Sequence, residues 1–139
     1  MIIYDNLFVK HLLVDDEKDN LRLVQKYLES KGAHVSAYSN PLLALQDFMK
    51  NNNRNNNNYD LVISDIKMPE INGIELASII RKKNKDIPII LMNSSDIIDI
   101  DYSILKFLNI EDIITKPVKL KELIEKINTI KQKVIVKHL

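Results

Sequence analysis

The sequence predicts an α/β fold, a doubly wound five-stranded parallel sheet of flavodoxin-like order 2-1-3-4-5. Three observations predict it. Five short apolar runs alternate with five segments of helical period. Such alternation gives parallel strands covered by helices on both faces, and right-handed crossovers leave few ways to connect them. Finally, 139 residues suffice for one domain with a single core.

The first strand is expected at Phe8 to Val14, ending abruptly in Asp15-Asp16. From there to Lys31, Leu21, Val24, Tyr27 and Leu28 recur at helical spacing, and Gly32 supplies the stop. His34 to Tyr38 is the second strand. Ser39-Asn40-Pro41 reads as a capped helix start, with Leu42, Leu45 and Phe48-Met49 on one face. The Asn-rich stretch 51–58 reads as a polar, flexible surface loop.

Leu61 to Ser64 is a buried strand that ends at Asp65. The loop from Lys67 to Gly73 carries Pro69 and an Asn72-Gly73 turn signal. A helix follows, with Ile74, Ala77 and Ile80 inward. Ile87 to Met92 is the fourth strand, and a helix is expected over Asp96 to Leu108, with Tyr102 partly buried on it. Ile113 to Thr115 is the fifth strand, before Lys116-Pro117. The last helix begins near Lys119 and aligns Leu120, Leu123, Ile124, Ile127 and Ile130. The domain is expected to span 1–139, with its core at about 8–130. The basic and apolar tail Lys131 to Leu139 has three open fates: continuing the last helix, pairing with a partner, or remaining disordered.

Bulk properties exclude several classes. A formal net charge of +1 argues against direct nucleic-acid binding driven by a basic field. The chain has no cysteine, which excludes disulfides and thiolate metal sites and fits a cytoplasmic protein. No apolar run is long enough for membrane insertion, and the N-terminus reads as a strand, not a signal peptide.

The chemistry-bearing residues fall at strand ends. Asp15 and Asp16 end the first strand and Asp65 the third, so the topology gathers acids at the crevice where such folds bind ligands. Two carboxylates about 5 Å apart repel by roughly 3 kcal/mol at an effective dielectric near 20. Such a cluster is either partly protonated or holds a divalent cation, and its hard oxygens suit Mg²⁺ or Mn²⁺. The bland alternative, that Asp15 and Asp16 merely cap a helix, leaves Asp65 unexplained. Lys116 ends the fifth strand on the same edge.

The segments LLVDDEKDN, LVISDIKMPEINGIEL, DIPIILMNSSD and ITKPVKLKEL together resemble the receiver domain of two-component response regulators, from about Val9 to Ile130. The resemblance implies that Asp65 is the nucleophile that becomes an aspartyl phosphate. It implies Mg²⁺ held by Asp16 directly, by Asp15 directly or through water, by Asp65 and by the Lys67 carbonyl. Lys116 would pair with a phosphoryl oxygen, and Pro117 stands where the family has a cis bond. The phosphoryl donor would be a histidine kinase or phosphotransfer protein, and the domain would act as a stand-alone relay or dock on a downstream protein. Catalysis would be limited to self-phosphorylation from a phosphodonor and autodephosphorylation.

The sequence departs from the family at two places. Where Thr or Ser usually ends the fourth strand, register gives Asn93, whose amide can donate to a phosphoryl oxygen; a bulge would bring Ser94 in instead. The usual switch aromatic is Ile113. These departures favour an alternative, a degenerate receiver that binds partners without phosphorylation, whereas Asp15, Asp16, Asp65 and Lys116 oppose it. A flavodoxin would need a Ser/Thr/Gly-rich phosphate loop after the first strand, and a dehalogenase-type phosphatase a D-x-D arrangement there. Asp15-Asp16-Glu17-Lys18 supplies neither.

Overall fold

The computed structural model describes residues 9–53, 56–57, 59–94 and 100–137. Five parallel strands form the sheet: β1 (Lys10–Val14), β2 (His34–Tyr38), β3 (Leu61–Asp65), β4 (Ile89–Asn93) and β5 (Asp112–Thr115). Their order is β2-β1-β3-β4-β5, as expected from the alternation. Five helices connect and follow them: α1 (Lys18–Ser30), α2 (Pro41–Asn51), α3 (Gly73–Lys83), α4 (Tyr102–Phe107) and α5 (Leu120–Lys137).

Side chains of period 2 divide each strand between two cores. Leu12, Val14, Val62, Ile89 and Leu91 face α2, α3 and α4, meeting Phe48, Leu76, Ile80 and Leu105. Leu13, Leu61, Ile63, Ile90 and Met92 face α1 and α5, meeting Val24, Leu28, Leu123 and Ile127. The central strand β3 is buried at every position. It therefore holds the residue at its carboxyl end rigidly.

Side chains tie the layers at their margins. The Tyr38 and Tyr59 hydroxyls both donate to Asp47 of α2, fastening that helix to the sheet. Arg81 reaches from α3 to the carbonyls of Leu108 and Asn109. Asn72 caps α3 reciprocally with Glu75: Asn72 Oδ1 accepts the Glu75 N–H, and Glu75 accepts the Asn72 N–H. Asn72→Ala is expected to cost about 1 kcal/mol, read from urea unfolding midpoints.

Several expectations are corrected. The fourth helix occupies only Tyr102–Phe107, started by Asp101, whose carboxylate accepts the Ser103 N–H; positions 96–99 of that expectation lie outside the described residues. Tyr102 is 70% exposed, not partly buried, because Leu105 is the residue that α4 turns inward. Leu42 is likewise exposed, and Ala44 and Phe48 carry the buried face of α2. Within the Asn-rich stretch, Asn52–Asn53 pairs antiparallel with Asn56–Asn57, so a small ladder replaces the simple loop. Asn72-Gly73 forms a cap and first helical residue instead of a turn. Residues Lys131 to Lys137 continue α5, which settles the fate of most of the tail. Phe8 lies outside the described residues, and β1 begins at Lys10. Gly32 adopts φ +97°, the left-handed stop anticipated for it.

Candidate functional site

The site forms where β1, β3 and β5 end. Asp15 follows β1, its N–H continuing the ladder to the Tyr38 carbonyl. Asp65 is the last residue of β3, opposite Met92 of β4. Asn93 lies beside Thr115, and its carbonyl accepts the Lys116 N–H at 2.8 Å. Backbone pairing alone thus delivers Asp15, Asp65 and Lys116 to one place, from positions as much as 101 residues apart.

Lys116 is the hub. Its ammonium lies 3.2 and 3.1 Å from the two Asp15 oxygens, 3.1 Å from Asp65 Oδ2 and 2.6 Å from Glu17 Oε1. The Lys116–Pro117 bond is cis, as the resemblance implied. Asp15 is fully buried, and it also accepts the Glu17 N–H at 2.9 Å and the Asn20 amide at 2.5 Å. Burial opposes the charge on Lys116, but hydrogen bonding to Glu17 and the adjacent Asp15 and Asp65 outweigh it and hold the ammonium above the ordinary lysine range. Asp65 is pushed up to about 7, first by burial and then by the charge of Asp15, against the opposing pull of Lys116.

Asp65 Oδ1 is buried and without a hydrogen-bond partner, while Oδ2 is held by Lys116. One carboxylate oxygen from each of Asp15, Glu17 and Asp65 lies within 4.8 Å of the others. A buried orphaned oxygen beside further carboxylates suits a hard divalent cation such as Mg²⁺, so the residues present fit that ion.

Sequence reasoning located Asp15, Asp65 and Lys116, which the structure brings together. Asp16, one residue on, is half-buried and stands outside the group of three carboxylates; Glu17, which was missed, joins it. Its signal was only a third acid after a strand end. Asn93 ends β4 as register predicted, with Oδ1 buried and unpartnered, while Ser94 lies just past the strand, half-buried. Lys67 is exposed on the loop after β3. Ile113 is half-buried against the α2–α3–α4 core, an apolar contact in place of a switch aromatic.

In the sequence Gly73 marks a turn signal and stands, with Asp65 and Met68-Pro69, at the spacing of the receiver motif. Its N–H donates to the Ile66 carbonyl at 2.8 Å, and a Cβ there would lie 2.2 Å from the Asp65 carbonyl oxygen. Only glycine lets α3 begin this close to the strand that carries Asp65. Gly73→Ala is expected to destabilise the fold by about 3 kcal/mol, measurable by chemical denaturation, because backbone and not a pliable side chain must yield.

This fold and this cluster of acids around a lysine define a class, and residues 12–128 match the response regulator receiver domain. The chain belongs to that family and is a receiver domain of two-component response regulators. Receivers bind Mg²⁺ at an acidic pocket and act with histidine kinases or phosphotransfer proteins; the pocket of Asp15, Glu17 and Asp65 is consistent with Mg²⁺-dependent aspartate phosphorylation.

Among its relatives, the chain is 36% identical over 121 residues to the CpxR homolog of Haemophilus influenzae, covering 87% of this chain and 49% of that protein. It thus spans about half the length of the regulators it matches. A response regulator receiver domain protein from Clostridium thermocellum superimposes with a TM-score of 0.79 at 28% identity, covering 93% of this chain and 98% of that one. TrrA from Thermotoga maritima, solved in complex with Mg²⁺ and BeF, gives a TM-score of 0.70 at 34% identity, covering 88% of this chain and 98% of that one. No helix among the described residues is long and apolar enough to cross a membrane.

Proposed function

We propose that Asp65 is the phosphoacceptor of a cytoplasmic signalling switch, taking a phosphoryl group from a histidine kinase or phosphotransfer protein. The observation that carries this reading is the division of labour on Asp65: Oδ2 is anchored by Lys116, and Oδ1 is buried with no partner. An Asp65 oxygen attacks the phosphorus of a phosphohistidine; a P–O bond forms as the P–N bond breaks, and the imidazole leaves with the bonding pair. Lys116 then offers its ammonium to an equatorial phosphoryl oxygen. Asn93, at the end of β4, offers its amide from the adjacent strand, with Ser94 one residue further on. As the resemblance implies, Asp15, Asp65 and the Lys67 carbonyl would hold Mg²⁺ together with Asp16, which would turn in toward the ion while Glu17 stays on Lys116; the ion would supply positive charge to the transferring group. The complex of TrrA with Mg²⁺ and BeF supports the same reading at 34% identity.

The phosphorylated domain then acts as a relay or by docking on a target protein, with residues 1–139 as one unit. The phosphorylation-independent alternative rests on Asn93 and Ile113 alone, and the cluster of Asp15, Asp65 and Lys116 gives it no support. Incubation with acetyl phosphate and Mg²⁺, followed by intact-mass measurement, tests the proposal. The expected result is addition of one phosphoryl group that disappears when EDTA replaces Mg²⁺. An unmodified protein at saturating Mg²⁺ would contradict it.

A further inference from the structure

Glu17 makes the shortest of the contacts to the Lys116 ammonium, 2.6 Å, yet its side chain is 63% exposed. It also occupies the N-cap position of α1 without capping it: its side chain makes no hydrogen bond to the helix backbone. Aspartate in this position accepts a free backbone N–H, a role the longer glutamate side chain does not ordinarily fill. Glu17 instead reaches a lysine 99 residues along the chain. Asp15 and Asp65, by contrast, are enclosed and cannot leave Lys116 without moving the strands that carry them.

Resting on the phosphoacceptor reading, we infer that Glu17 is a positioning residue that latches Lys116 before phosphorylation and lets go when a phosphoryl group arrives. Charge decides the direction. Asp15, Asp16 and a dianionic phosphoryl group carry four negative charges, against three positive charges from Mg²⁺ and Lys116. Glu17 would add a fifth negative charge at close range, where repulsion between like charges is steep. Of the acids that touch Lys116, Glu17 is the exposed one, and its side chain can swing into water at little cost. Glu17 therefore competes with the phosphoryl oxygen for one ammonium and sets how readily the site accepts phosphate.

The test titrates Mg²⁺, then beryllofluoride, into the wild type, Glu17→Gln and Glu17→Asp, followed by NMR of the backbone amides and of the Lys116 side chain. At saturating Mg²⁺, Glu17→Gln is expected to tighten beryllofluoride binding about two- to fivefold, the range of a partly exposed ion pair. The Lys116 ammonium signal is expected to shift in Glu17→Gln before any ligand is added, and Glu17→Asp to fall between the two. A Mg²⁺ affinity lowered about tenfold or more in Glu17→Gln would overturn the inference by making Glu17 a metal ligand. Unchanged beryllofluoride affinity would overturn it by making the contact idle. Wild type that takes up no beryllofluoride at saturating Mg²⁺ would overturn both the latch and the phosphoacceptor reading.

Discussion

Asp65→Asn is expected to abolish phosphoryl uptake and, in metal-free buffer, to make the fold more stable above neutral pH. The first effect follows from chemistry: the amide keeps the shape of the carboxylate but loses the charged oxygen that attacks phosphorus. The second follows from burial. Asp65 is 3% exposed, and its folded pKa is pushed up to about 7, above the ordinary carboxylate value near 3.9. A folded pKa above the unfolded one means that the folded state binds the extra proton. The contribution of this group to stability is therefore fully present below about pH 4 and is lost as pH rises through about 7. The wild type loses stability across that window and the variant does not. Urea unfolding at pH 5 and pH 8 should find the variant's advantage larger at pH 8, on the order of 1–2 kcal/mol after allowance for screening. Added Mg²⁺ should stabilise the wild type and narrow the gap. A variant less stable than wild type at pH 8 would contradict this electrostatic account.

Lys116→Met should have the opposite sign and a larger size. Methionine keeps much of the apolar stem but removes the cation that, among the described residues, contacts Asp15, Glu17 and Asp65. Exposed Glu17 turns to water, whereas Asp15 and Asp65, with side chains 0% and 4% exposed, cannot. Removing one partner from a buried charge cluster costs about 3–5 kcal/mol. The loss should be greatest near pH 8 and smaller near pH 5, where protonation of Asp65 relieves the repulsion. Mg²⁺ should recover part of it by replacing the missing positive charge. Thermal unfolding across pH, with and without Mg²⁺, checks all three expectations; a pH-independent loss would mean that packing and not charge is responsible.

Much of this was legible in the sequence because parallel strands buried on both faces leave a strong pattern. Leu12 and Leu13, or Ile89 and Ile90, serve opposite cores, so the runs read as continuous apolar stretches. Once the strands were ordered, Asp15, Asp65 and Lys116 had to meet, since each stands at a carboxyl end. Glu17 was hidden for the converse reason. Its partner arrives through the fold from residue 116, and an exposed acid at a helix start looks like any other. The position of α4 was blurred because Tyr102, Ile104 and Phe107 are apolar yet exposed, which smears the periodicity that marks a buried face. The small ladder at Asn52–Asn53 and Asn56–Asn57 is a backbone pairing that polar composition does not announce. Gly73 illustrates a third kind of gap: its necessity comes from a 2.2 Å approach to the Asp65 carbonyl, a fact about distance and not about pattern.

The central claim is that Asp65 receives the phosphoryl group, and the most direct measurement locates that group. An aspartyl phosphate is an acyl phosphate that borohydride reduces, leaving homoserine in place of the modified aspartate. The protein treated with acetyl phosphate and Mg²⁺, reduced and mapped by peptide mass spectrometry, should carry homoserine at position 65 and nowhere else. Homoserine at position 15 or 16, or modification that survives in Asp65→Asn, would contradict the account.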